Sequence, residues 1–193
     1  MTGSKFLIKG ATLPNAKKSD IAIDNGVITA MGQDLSLPDA VIVDASASIV
    51  LPGLVDLHTH LREPGGEDAE TVLSGSRAGA KGGFTALSAM ANTSPVADTA
   101  GVVEQVYRLG QEAGLLDVFP IGAVTQGLKG EALSEIGAMA DSVARVRVFS
   151  DDGNCVFDPL VMRRALEYIK KFGGVIAQHA QDPRMTIAPR SRR

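Results

Sequence analysis

The chain has 193 residues, 45% of them hydrophobic and 21% charged, with a net charge of −3. That balance excludes disorder and leaves room for one ordinary domain, or a small domain plus part of a larger one. It gives no case for a nucleic-acid partner, and the single Cys155 excludes a disulfide framework and points to a reducing compartment. Met1-Thr2-Gly3-Ser4-Lys5 leads into no long apolar run, and the apolar stretch from Ile49 to Val55 is broken by Pro52-Gly53. Neither a signal peptide nor a membrane span is expected, so the expectation is a cytoplasmic globular protein.

Residues 1–50 predict a small β region. Phe6-Leu7-Ile8, the alternating Ile21 and Ile23, Val27-Ile28, Val41-Ile42-Val43 and Ile49-Val50-Leu51 are strand-like. Asn25-Gly26 between two such runs signals a tight hairpin, because both residues tolerate positive φ.

After Leu51 the rhythm changes. Apolar runs begin at residues 51, 83, 116, 145 and 174, with spacings of 32, 33, 29 and 29 residues. Helical segments fill the gaps. Before residue 116, Val102, Val106 and Leu109 share a helical face, with Asp98 as the expected N-cap and Gly114 past the end. Asp158-Pro159 opens a later helix, Leu166 and Ile169 give its apolar stripe, and Gly173 closes it. Strand–helix repeats of about 30 residues imply parallel βαβ units. A doubly wound sheet and a (β/α) barrel both fit. A complete barrel takes about 31 residues per unit, so the 143 residues from 51 to 193 hold roughly 4.6 units. The expected fold class is therefore α/β: an incomplete TIM-like barrel of about five βα units in residues 51–183, after the β region of 1–50. Residues 184–193 hold four Arg and no acid, whereas 1–183 carry 15 basic against 22 acidic side chains. This basic tail reads as foreign to the rest.

All three histidines fall at strand ends: His58 and His60 after the first run, His179 after the fifth. Residues i and i+2 of a strand point to the same side, so His58 and His60 can aim two imidazoles at one point. The C-terminal ends of parallel strands form the functional face of a barrel. A fourth strand ends in Ser150-Asp151-Asp152-Gly153, and imidazoles with a carboxylate suit Zn and related ions. Arg62 can grip a carboxylate through two parallel hydrogen bonds, or pair on the surface with Glu63 or Glu67. Asn92 can donate to the same carboxylate, but Asn92-Thr93-Ser94-Pro95 is also an ordinary turn. Gly65-Gly66 and Gly82-Gly83 fit no phosphate-loop pattern. Cys155, Met90, Met139 and Met162 read as structural.

The run Pro52-Gly53-Leu54-Val55-Asp56-Leu57-His58-Thr59-His60-Leu61-Arg62-Glu63-Pro64-Gly65 resembles the amidohydrolase superfamily and, within it, the bacterial type I dihydroorotases. Gly82-Gly83-Phe84-Thr85, Met90 to Pro95, Phe149 to Gly153 and Ala177-Gln178-His179 follow in that family's order, and the resemblance covers about residues 5 to 183. Asp-x-His-x-His names only the superfamily; Leu-Arg-Glu-Pro-Gly selects dihydroorotase.

The resemblance implies a distorted (β/α) barrel and the zinc-dependent, reversible closure of N-carbamoyl-L-aspartate to L-dihydroorotate in pyrimidine synthesis. It implies His58, His60, Asp152 and His179 as ligands of one or two zinc ions, with Asp152 preferred to Asp151 by the spacing to His179. It implies His60, Arg62 and Asn92 as substrate-binding residues. It also implies a soluble enzyme, either a homo-oligomer or a partner of aspartate carbamoyltransferase. The family's further His and its catalytic Asp match no residue here, so no catalytic residue is assigned, and a truncated, inactive form is expected. Other cyclic amidases (hydantoinase, dihydropyrimidinase, allantoinase) and a non-catalytic scaffold are the alternatives. Hydantoinases usually carry a carboxylated Lys where this sequence has Asp151-Asp152.

Overall fold

The computed structural model describes residues 4–185. Residues 186–193, most of the basic tail, lie outside the described residues. The chain divides into two compact units at the Pro52–Gly53 junction.

The first unit is a four-stranded sheet in the order β3-β2-β1-β4. Its strands are β1 (Lys5–Thr12), β2 (Lys18–Asp24), β3 (Val27–Gly32) and β4 (Val41–Asp44). Strands β1 and β2, and β2 and β3, pair antiparallel, while β1 and β4 pair parallel. Asn25 and Gly26 take φ of 52° and 76°, the left-handed pair that a two-residue hairpin needs. The sheet is pinned by Asp20, which accepts from Lys9 Nζ at 2.6 Å, Gly10 N at 2.8 Å and Leu35 N at 3.1 Å. The Lys9 ammonium, followed by the Gly10 amide, holds this carboxyl below its ordinary value. Ile49-Val50-Leu51 is not a strand. It makes a single parallel bridge, Thr12 to Ile49, because Pro52 and Gly53 follow at once.

The second unit is α/β. Strands β5 (Leu54–Thr59), β6 (Phe84–Ala89) and β7 (Asp117–Pro120) form a parallel sheet, and β8 (Val148–Phe149) and β9 (Val175–Ile176) form a parallel pair. A parallel bridge from Gly122 to Phe149 joins the two, so all five strands follow one another in chain order. Helices α1 (Val72–Lys81), α2 (Ala100–Ala113), α3 (Ile136–Asp141) and α4 (Pro159–Ile169) lie in the connections. This is the βα rhythm that the sequence predicts.

Local chemistry sets the helix starts. Thr71 and Ser74 form a reciprocal capping box on α1, and Glu63 adds a carboxylate to the same end by accepting from Val72 N at 2.8 Å. Asp158 accepts from Leu160 N at 2.7 Å and Val161 N at 3.2 Å, with Pro159 in the first turn, as predicted. Two expectations are corrected. Thr99, not Asp98, occupies the N-cap of α2, because Asp98 turns instead to accept from Gly127 N at 2.8 Å. Leu166 is half exposed; Ala165 and Ile169 supply the buried face of α4.

The core gathers Val103, Val124, Ile136, Met139, Phe149 and Ile169, with Met162 packed against it. Helix α2 lies so close to β7 that a Cβ at Gly110 would stand 2.5 Å from Val118 Cβ. Gly110→Ala should therefore destabilise the protein by up to about 2 kcal/mol, the overpacking cost of about 1–3 kcal/mol less the roughly 1 kcal/mol gained in helix propensity. Urea unfolding checks this, and a gain in stability would show that α2 moves freely on the sheet. No helix among the described residues is long and apolar enough to cross a membrane.

Candidate metal centre

Three strand ends supply the site. His58 lies in the last turn of pleat of β5 and His60 just beyond it. Their side chains share one face, with ring centroids 5.1 Å apart at 69°. Asn92 follows β6, whose ladder to β5 continues through Met90 N to Thr59 O at 2.9 Å. Asp152 follows β8, held in place by Ser150 N to Gly122 O at 2.9 Å.

Ligating atoms of His58, His60 and Asp152 all lie within 4.8 Å of one another. Asp152 Oδ1 is 3.3 Å from His58 Nε2, and its Oδ2 is 3.5 Å from His60 Nε2. Two ligands bound at 2.0–2.2 Å to a tetrahedral zinc stand about 3.3–3.5 Å apart. Both the separations and the two-imidazole, one-carboxylate donor set therefore fit a divalent metal ion.

The adjacent carboxylates diverge. Asp151 is 1% exposed and turns into the protein. Its Oδ1 accepts from Val124 N at 2.7 Å and Thr125 N at 3.0 Å, and its Oδ2 accepts from the Thr125 hydroxyl. Burial raises its pKa, opposed by the Thr125 and Val124 donors. Asp152 alone reaches the imidazoles. Asp56, on the same strand as His58, accepts from His58 N at 3.0 Å and is thereby turned to its own backbone.

His179 is not among the three clustered ligands. It lines the same cavity of about 300 Å³ as His58, Asp152, Met90 and Gln178, with its Nε2 3.0 Å from Gln181 Oε1. Cys155 is half-buried, and its Sγ accepts from Gln178 Nε2 at 3.3 Å.

Arg62 is exposed, with φ of 60°, and makes no hydrogen bond or ion pair among the described residues. The alternative pairing with Glu63 or Glu67 is not made. Glu63 caps α1, and Glu67 accepts from Gly65 N at 2.8 Å. The loop carrying Arg62 is fastened to the loop carrying Asn92. Ser94 N donates to Pro64 O at 2.9 Å, and a Cβ at Gly65 would stand 2.1 Å from Ser94 O. With φ of +95° as well, only glycine serves at Gly65. The Asn92 amide spans His60 Nδ1, at 2.9 Å, and Asp152 Oδ2, at 3.4 Å.

Sequence reasoning missed Thr125, Glu63 and the Asn92 bridge. The helix start at Thr71 was readable, but the reach of Glu63 to Val72, nine residues on, was not. The other two depend on pairings that sequence spacing does not carry.

The sequence profile of the dihydro-orotase-like family matches residues 47–188. A dihydroorotase from Leifsonia xyli is 64% identical over 96% of this chain and 42% of its own length. Those of Streptomyces coelicolor and Mycobacterium tuberculosis are 63% and 55% identical over 95% and 89% of this chain, and 43% and 40% of theirs. The chain thus spans about two fifths of the length of these relatives. Among solved structures, an L-hydantoinase from Arthrobacter aurescens matches 90% of the chain and 40% of its own, at TM-score 0.72 and 21% identity. A dihydropyrimidinase from Brevibacillus agri matches 92% and 40%, at TM-score 0.68 and 21% identity. These structural likenesses carry the fold, which is part of a (β/α) barrel. With a family profile matched over most of the sequence, and relatives of that name at such identity, the chain belongs to the dihydro-orotase-like family.

Proposed function

We propose that the protein carrying this chain is a zinc-dependent dihydroorotase, interconverting L-dihydroorotate and N-carbamoyl-L-aspartate. The observation that carries the reading is the convergence of His58, His60 and Asp152 at the strand ends of a dihydro-orotase-like chain. These three would hold a zinc ion, and His179, lining the same cavity, would serve a second one. When bound, zinc supplies Lewis-acid polarisation of a carbonyl and a nucleophile at neutral pH.

The residues of this chain bind and orient. In ring opening, water adds to the ring amide carbonyl, the carbon–nitrogen bond breaks and the nitrogen takes up a proton. The substrate carboxylate is not consumed, so it can serve as a handle. Arg62, exposed and unpaired among the described residues, would take it through a two-pronged contact, and Asn92 and His60 border the same place. Such a grip fixes the scissile amide against the metal without touching it. A ring without that carboxylate gains nothing from Arg62, which favours dihydroorotate over hydantoins as substrate.

In the intact protein, Arg62→Met should lower kcat/KM for carbamoyl aspartate by roughly 100- to 1,000-fold, as the loss of a charged two-pronged contact. Steady-state assays on dihydroorotate, carbamoyl aspartate and a hydantoin test the whole reading. Near-normal turnover of carbamoyl aspartate by the variant, or preference of the wild type for the hydantoin, would refute it.

A further inference from the structure

The Asn92 side chain stands between two of the proposed metal ligands. Its Oδ1 is 2.9 Å from His60 Nδ1 and its Nδ2 is 3.4 Å from Asp152 Oδ2. The chemistry of the partners fixes its orientation. An ionised carboxylate only accepts, so the amide must present its NH2 to Asp152 and its oxygen to His60. That oxygen in turn only accepts, so Nδ1 of His60 must carry the proton. In the neutral ring the lone pair is then on Nε2, the nitrogen that faces Asp152 at 3.5 Å. Without Asn92 nothing among the described residues engages Nδ1, and the ring is left with only the Asp152 contact at Nε2 to hold it.

We infer that Asn92 is a positioning residue of the metal centre: it locks His60 in the Nδ1–H tautomer and steadies Asp152, so that both present lone pairs to one ion. The inference rests on the metal-centre reading above and gives Asn92 a role other than contact with the substrate carboxylate. The two roles coexist, since the amide has a second N–H and only one is turned to Asp152. Outer partners of this kind set the orientation and basicity of metal-bound imidazoles.

Two readouts on the intact protein test it: zinc affinity, by competition with a chromogenic chelator, and the His60 tautomer in the metal-free protein, from long-range 1H–15N spectra. Asn92→Ala should weaken zinc binding by about 10- to 100-fold and erase the single Nδ1–H signature. Asn92→Asp keeps an acceptor for Nδ1–H, so it should keep the tautomer even where it disturbs Asp152. Zinc affinity within about twofold of wild type in Asn92→Ala, with the tautomer unchanged and only KM raised, would reduce Asn92 to a substrate contact and overturn the inference. Failure of the wild type to bind zinc would sink the metal-centre reading itself, and the tautomer spectra would still decide the Asn92–His60 link.

Discussion

Asp152→Ala should abolish tight zinc binding. Loss of an outer partner of a metal ligand already costs about 10- to 100-fold in affinity, and on the proposed reading Asp152 is a direct donor that also supplies the only negative charge of the cluster. A fall of more than about 100-fold is expected, with activity falling alongside. Chelator competition on the intact protein measures it. His58→Ala should act in the same direction, because its Nε2 faces the same carboxylate at 3.3 Å. Zinc held by Asp152→Ala as tightly as by the wild type would place the metal elsewhere and remove the basis of the proposed function.

The neighbouring substitution should do the opposite. Asp151→Ala should leave the donor set of the metal intact but cost about 3–5 kcal/mol of stability. It strands two buried backbone N–H groups and the Thr125 hydroxyl together. Asp151→Asn keeps an oxygen for the two amides and should cost only about 1 kcal/mol. The pH dependence has a defined sign. Folding raises this carboxyl above its ordinary value of 3.8, chiefly by burial. Its contribution to stability is thus fully present below that value and declines as pH rises through the folded one. Asp151→Asn should remove that slope. Denaturant melts of the variants between mildly acid and neutral pH check both statements, and an Asp151→Ala protein as stable as the wild type would show that the 124–130 loop needs no anchor.

The two aspartates also show how far the sequence could be read. The family pattern picked Asp152 by its spacing to His179, and the geometry sets Asp152 beside the imidazoles. Nothing in the sequence said what Asp151 does, because its donors lie 26 and 27 residues away. The strand rhythm after Leu51 was legible because the parallel strands are short apolar runs with regular helical gaps, even where, as in β5, most of the strand is exposed. The positions of His58 and His60 followed from the two-residue pleat alone. Asp98 misled because a good capping residue next to another good capping residue, Thr99, leaves the choice to tertiary contacts. Ile49-Val50-Leu51 misled because an apolar run alone does not show that its pairing with β1 stops after one bridge, ahead of Pro52-Gly53. For Arg62 the sequence offers a surface pairing with Glu63 or Glu67, and only the tertiary contacts of those two carboxylates remove that alternative.

The fastening of the Arg62 loop to the Asn92 loop makes the pair behave as a ruler. Gly65 against Ser94, and Ser94 N on Pro64 O, tie the two segments backbone to backbone, so neither can swing out without the other. If Arg62 takes the substrate carboxylate as proposed, the backbone positions from which Arg62 and Asn92 reach toward it are then set by these main-chain contacts. On that proposal, a ring whose carboxylate sits one methylene farther from its scissile amide would have to be accommodated by the Arg62 side chain alone, with little give from the two loops. Its amide would then sit off the proposed metal ligands, and the mismatch would be felt in turnover more than in binding.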